Sequence, residues 1–208
     1  MSAQESGDIG KLVVLIVEDE STIGMGLRQR LTELGHTVLE QAATGERAKA
    51  LYREHRPDLV LMDIRLDGAD GIELAGELLS ERRTAMVILT SHGQPDFVTR
   101  AAEAGVFGYL LKPASTDALR AAIEVAVRRF REHEKLAAEK EQLAQTLETR
   151  KLVEKAKGIF MKRLNLDEPE AHRRLQLESQ KRRISLNELA KRIIESDEFF
   201  SPGSGPAR

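Results

Sequence analysis

The sequence predicts an α/β fold, a doubly wound five-stranded parallel sheet, followed by a long helix and a small all-α three-helix domain. Three observations carry this expectation. Short, continuous apolar runs alternate with helix-length stretches through the first half, as strands buried on both faces and joined by crossover helices do. No proline or glycine appears between Ser115 and Gly158, a stretch rich in Ala, Leu, Glu, Lys and Arg. Beyond it stand two further helix-start signals, at Asp167 and Ser185.

Taken in order, Leu12–Val17, Leu59–Met62 and Met86–Leu89 are the clear strands, and His36–Leu39 and Tyr109–Leu111 the weaker ones. The intervening helices are Ile23–Leu34 closed by Gly35, Gly45–His55 closed by Pro57, Ile72–Arg82, and Asp96–Ala104 closed by Gly105. Right-handed crossovers then wind the chain over both faces. Ser115, Thr116 and Asp117 offer capping oxygens to one long helix, or to two nearly joined. Its first part presents Leu119, Ile123, Ala126, Val127 and Phe130 to the sheet. Farther on, Leu136, Leu143, Leu147 and Val153 recur at about heptad spacing, with Lys140 and Arg150 interrupting. That is the pattern of a short, weak coiled coil or of a monomeric linker helix. Gly158 marks a close helix approach or a kink. Asp167-Glu168-Pro169-Glu170 and Ser185-Leu186-Asn187-Glu188 start the last two helices.

The 208 residues suit one large or two small domains, and a hydrophobic share of 41% supports a packed core. The longest apolar run, Leu12–Val17, is far short of the roughly 20 residues that cross a bilayer. No secretory signal is visible, so the expected location is cytoplasmic, without membrane attachment. With no cysteine, disulfides, thiolate metal sites and Cys nucleophiles are excluded. Net charge is −2, yet residues 1–117 hold 12 Lys and Arg against 19 Asp and Glu, whereas 118–208 hold 20 against 15. Within 150–194 the count is 13 basic to 6 acidic. This is a footprint for nucleic acid, or a solvated helical surface.

In an open parallel sheet, chemistry gathers at the carboxyl ends of the strands. There the sequence places Glu18 and Asp19, then Asp63, then Thr90, then Lys112 before Pro113. Grouped carboxylates repel one another unless a cation sits among them, and hard oxygen ligands suit Mg²⁺. With the ion on Glu18 and Asp19, Asp63 is free to act as a nucleophile toward phosphorus. Lys112 would neutralise the equatorial oxygens and Thr90 would donate its hydroxyl. Each residue alone has a dull explanation as a cap or a strand end, but their convergence on four strand ends does not.

The segments Leu15-Ile16-Val17-Glu18-Asp19-Glu20, Leu61-Met62-Asp63-Ile64, Leu89-Thr90-Ser91 and Gly108-Tyr109-Leu110-Leu111-Lys112-Pro113 resemble the signatures of the two-component response-regulator receiver domain. The resemblance implies a flavodoxin-like strand order over residues 11–129, after a flexible N-terminus at 1–10. It implies that Asp63 accepts phosphate from a histidine kinase, and that Glu18, Asp19, Asp63 and the Arg65 carbonyl hold Mg²⁺. Thr90 and Tyr109 would form the switch, and the Lys112-Pro113 bond would be cis. Glu18 stands where many receivers have aspartate. Arg65 and His92 would flank the phosphoryl group.

A helical linker at 130–148 follows. From Arg150 the chain puts Val153, Ala156, Phe160 and Met161 near one helical face and Lys151, Lys155, Lys157 and Lys162 mostly on another. With Ala171, Leu175, Ser179, Leu186 and Ala190, this stretch resembles the ANTAR domain, a three-helix RNA-binding module of transcription antiterminators, at 149–196. Gln176 replaces an expected arginine and Phe160 a usual leucine. The candidate RNA contacts are Arg150, Lys151, Lys155, Lys157, Lys162, Arg163, Arg173 and Arg174. Residues 197–208 are expected to be a disordered tail.

The whole architecture is similar to the phosphorylation-dependent antitermination regulators of actinobacteria. It implies a phosphoacceptor that catalyses its own phosphoryl transfer and autodephosphorylation rather than a metabolic enzyme. It also implies hairpin RNA as ligand, a homodimer on phosphorylation, and an indirect relation to the RNA polymerase elongation complex. The rival readings are a receiver-controlled DNA-binding transcription factor and a protein-interaction module.

Overall fold

A computed structural model describes residues 9–91 and 95–200, with the side chains of 95–98 and 198–200 left aside. His92 and the tail from 201 lie outside the described residues. The chain divides into two compact units between Glu134 and Lys135.

The first unit contains β1 (Val13–Val17), α1 (Ser21–Glu33), β2 (Thr37–Val38), α2 (Gly45–His55), β3 (Leu59–Asp63), β4 (Arg65–Leu66), β5 (Ala69–Asp70), α3 (Gly71–Glu81), β6 (Ala85–Thr90), α4 (Pro95–Glu103) and β7 (Gly108–Leu111). Five strands form a parallel sheet in the order β2-β1-β3-β6-β7, the doubly wound order expected. Side chains alternate across a strand, and the two faces sort accordingly. Leu15, Val17, Val60, Met62, Met86 and Ile88 pack under α2, α3 and α4. Val14, Ile16, Leu59, Leu61, Val87 and Leu89 pack under α1 and Leu119, Ile123 and Ala126 of the next helix. Every residue of β3 and β6 is buried, which is why those strands read as unbroken apolar runs.

Helix ends follow local chemistry. Thr44 caps α2 by accepting from the Arg47 amide. Asp70 caps α3 by accepting from Ile72 and Glu73. Helix α2 stops at Arg56, which takes a left-handed conformation (φ 45°) before Pro57. The antiparallel pair β4–β5 was not expected: the chain turns back at Gly68 (φ 76°), and the pair is too short to carry a periodic signal.

The long stretch after Ser115 forms one helix, α5 (Thr116–Leu164), continuous through Gly158. Ser115 caps it through the Ala118 amide. Asn165, at φ 53°, follows its end.

In the second unit α6 (Glu168–Arg182) and α7 (Leu186–Phe200) complete three helices. Asp167 and Ser185 are their caps, accepting from Glu170 and Glu188. Ala156, Leu175, Leu189 and Ala190 form the core, with Leu152, Val153, Phe160, Ile184, Leu186 and Ile193 packed on it. Three expectations are corrected. Gly158 is exposed, and a Cβ there would meet nothing within 4 Å, so it marks no close helix approach. Val153 packs on this core rather than in a heptad seam, while Leu136, Leu143 and Leu147 stay exposed. Helix α7 continues to Phe200, four residues into the segment assigned to a disordered tail, since nothing before Ser201-Pro202 breaks it. Among the described residues no helix is long and apolar enough to cross a membrane.

Candidate functional site

At the carboxyl rim of the sheet, β1 runs into Glu18 and Asp19, β3 ends in Asp63, β6 ends in Thr90 and β7 is followed by Lys112. The topology brings together what the sequence placed at separate strand ends. Lys112 Nζ lies 2.5 Å from Glu18 Oε2 and 2.8 Å from Asp63 Oδ2. Glu18, Asp19 and Asp63 offer oxygens that lie within 4.8 Å of one another, a group able to hold a metal ion. Glu18 is fully buried, Asp63 and Thr90 nearly so, and Asp19 is half-buried at the mouth. The Lys112–Pro113 peptide is cis.

Burial pushes the Glu18 carboxyl above the usual range, against the hydrogen bond and charge of Lys112. Burial pulls the Lys112 ammonium down, but its bonds to Asp63 and Glu18 outweigh that, and its pKa stands above the ordinary lysine value. The ammonium is thus a fixed positive charge against the carboxylate that faces the opening. A fixed cation beside a carboxylate and a set of hard oxygen donors can neutralise the charge of a phosphoryl group.

Several residues that shape the rim gave no signal in the sequence. The Gln41 side chain donates to the Glu18 carbonyl at 2.8 Å, and the Glu18 amide donates to Ala42 at 2.9 Å. Gln41 lies over Gly24 of α1, where a Cβ would come 2.0 Å from its side-chain oxygen. Gly71 lets α3 begin against the end of β3, since a Cβ there would stand 1.8 Å from the Asp63 carbonyl oxygen. Asp70, besides its capping bonds, pairs with Arg100 of α4 at 2.6 Å. The Asp-Gly pair at a helix start was the one available hint.

Two expected residues stand apart. Tyr109 is 53% exposed on β7 while Thr90 is buried. Arg65 opens β4, paired in the ladder with Asp70, and its side chain is exposed.

In the helical unit Arg150, Lys151, Lys155, Lys162, Arg163, Arg173 and Arg174 are exposed. Lys157 is not, which corrects its assignment to the open basic face. Its ammonium is buried between Glu154 (2.6 Å) and Glu168 (2.7 Å), tying α5 to the first turn of α6.

The response regulator receiver domain family matches residues 14–124, and the ANTAR domain family matches 141–194. The transcriptional regulatory protein PdtaR of Mycobacterium tuberculosis is 42% identical over 183 residues, 88% of this chain and 89% of that protein. The positive alginate biosynthesis regulatory protein of Pseudomonas aeruginosa is 37% identical over 118 residues, 55% of this chain and 47% of its own length. Among solved structures, the signal receiver domain of a modulated diguanylate cyclase from Desulfovibrio desulfuricans aligns with a TM-score of 0.55 at 36% identity, covering 60% of this chain and 99% of that one.

Proposed function

Because the chain belongs to the response regulator receiver family and carries an ANTAR domain behind its receiver, we propose that it is a phosphorylation-switched, RNA-binding transcription antiterminator. The observation that carries this reading is the pairing of one acidic acceptor site with one basic helical unit in a single chain.

Asp63 is the acceptor. One of its carboxylate oxygens forms a bond to the phosphorus of a histidine kinase's phosphohistidine as the phosphorus–nitrogen bond breaks. The electron pair stays on the departing imidazole, which takes a proton from solvent. Phosphoryl transfer asks mainly for alignment and neutralisation of charge, which Lys112 supplies through its 2.8 Å contact with Asp63. Glu18, Asp19 and Asp63, with the Arg65 carbonyl, are the residues that would hold Mg²⁺, whose chemistry there is to offset charge on the phosphoryl oxygens. Thr90 would donate its hydroxyl to the new anion, Tyr109 would follow it inward from its exposed position, and water attack with Asp63 as leaving group would reset the switch.

The output reading is a hairpin RNA held by exposed lysines and arginines of the helical unit, with two chains pairing after phosphorylation. Its relation to the RNA polymerase elongation complex is indirect, through the transcript. Binding at fixed salt to a two-hairpin RNA and to matched duplex DNA, with and without Mg²⁺ and beryllofluoride, tests the reading. Tighter RNA binding in the mimic-treated protein, absent in Asp63→Ala, is the expected result. Equal, strongly salt-dependent binding to both nucleic acids would overturn it.

A further inference from the structure

The end of α5, α6 and α7 enclose a hollow of about 550 Å³, within the range of small-ligand sites. Its floor is apolar, built by Ile159, Phe160, Leu164, Leu189 and Ile193. Its rim carries four guanidinium groups, Arg163, Arg174, Arg182 and Arg192, against the carboxylates of Glu178 and Asp197. An apolar hollow inside an arginine ring is unsuited to duplex phosphates alone, which need charge and no cavity. It suits a group with a flat, weakly polar body and anionic flanks.

We propose that this hollow receives one splayed-out nucleobase of an RNA loop, with the phosphates on either side of that nucleotide held by the rim. The inference rests on the RNA-binding reading above and names the part of the RNA that this unit reads. Charge complementarity favours it: the four arginines stand against Glu178, Asp197 and the Glu188 that pairs with Arg192, which leaves the rim net positive toward a phosphate. Unpaired loop bases are the elements of RNA that proteins lift out and stack on aromatic or guanidinium planes. Arg163 is held by Asp197 at 2.5 Å, and the other three arginines are available for that exchange. Arg174 is exposed and has no partner among the described residues. Arg182 holds Glu178 only at 3.2 Å from a side chain 59% exposed, and Arg192 pairs with Glu188 from one 58% exposed. Such solvated pairs are easily traded for a phosphate. The Glu178 carboxylate and the Ser196 hydroxyl line the same hollow and can meet a base edge.

The test uses the full chain with Mg²⁺ and beryllofluoride, and a two-hairpin RNA whose loop nucleotides are made abasic one at a time. Ser196, on the exposed rim, is changed to tryptophan (Ser196→Trp) to fill the hollow from outside, with helicity checked by circular dichroism. At one loop position the abasic change is expected to weaken binding on the order of tenfold or more, the usual weight of a stacked base. Ser196→Trp should weaken intact RNA by a similar factor, and the two changes together should cost no more than either alone. Arg174→Ala should weaken intact RNA as well. If Ser196→Trp binds RNA as the wild type does, or if its loss multiplies with every abasic loss, the pocket proposal falls while RNA binding stands. If the hollow instead captures a labelled acidic, leucine-rich peptide without affecting RNA affinity, it is a protein-docking site and the proposal is overturned. If the wild type binds no hairpin RNA, the functional reading itself fails first.

Discussion

Asp70 joins three elements with one carboxylate. Its Oδ1 caps α3, its Oδ2 holds Arg100 of α4, and it sits in β5, paired with Arg65 of β4. Burial lifts its pKa, but Arg100 and the two amide donors outweigh burial and keep it below the ordinary value. The stability it contributes is therefore full above the unfolded pKa of about 3.9 and is lost as pH falls through the lower folded value. Asp70→Asn keeps the cap and loses the ion pair, so a loss of about 0.5 to 1 kcal/mol is expected at pH 7, the pair being partly exposed. Urea unfolding at a series of pH values measures it: the gap between variant and wild type should close below about pH 4. A gap constant with pH would assign the effect to shape rather than charge. Glu18, Asp19, Asp63, Thr90 and Lys112 were legible in the sequence because each stands at the carboxyl end of a strand. Asp70's second bond and the Gln41 contact to Glu18 were not, because their partners lie 30 and 23 residues away on other elements.

At the scale of the element, α5 shows which sequence signals are local. Its start, its length and its apolar stripe follow from composition and spacing. The role of Gly158 does not, since a glycine reads the same whether it permits a contact or merely faces water. Gly158 faces water, so Gly158→Ala is expected to stabilise the helical unit by about 1 kcal/mol in thermal or urea unfolding. Lys157 shows the same ambiguity with charge. It shares a helix with Lys151, Lys155 and Lys162, yet its ammonium is enclosed by Glu154 and Glu168. Lys157→Met should weaken the unit by about 1 kcal/mol, its carboxylate partners being largely solvated, and leave the salt dependence of RNA binding unchanged. Arg173→Ala should do the reverse, leaving stability alone and lowering the slope of log affinity against log salt by about one. Affinities at several salt concentrations separate the two variants.

For the whole molecule, the expected consequence of phosphorylation is pairing of chains. Leu136, Leu143 and Leu147 are 65%, 75% and 56% exposed along α5, an unpartnered apolar row on a helix otherwise charged. A double change, Leu136→Glu with Leu143→Glu, should leave Asp63 phosphorylation and helicity intact. It should abolish any dimer that beryllofluoride induces in sedimentation, and lower RNA affinity with it. A dimer that survives would place the pairing surface on the receiver instead. By itself the sequence determined the class of fold, the strand-end chemistry and the caps at Ser115, Asp167 and Ser185. These depend on periodicity and on residues within one turn of each other. Only the tertiary structure decided that Lys112 spans Glu18 and Asp63, that Gly71 abuts the Asp63 carbonyl, that Lys157 is buried and that four arginines ring one hollow. Those facts are distances between segments remote in the chain, and no local pattern records which remote group a side chain will meet.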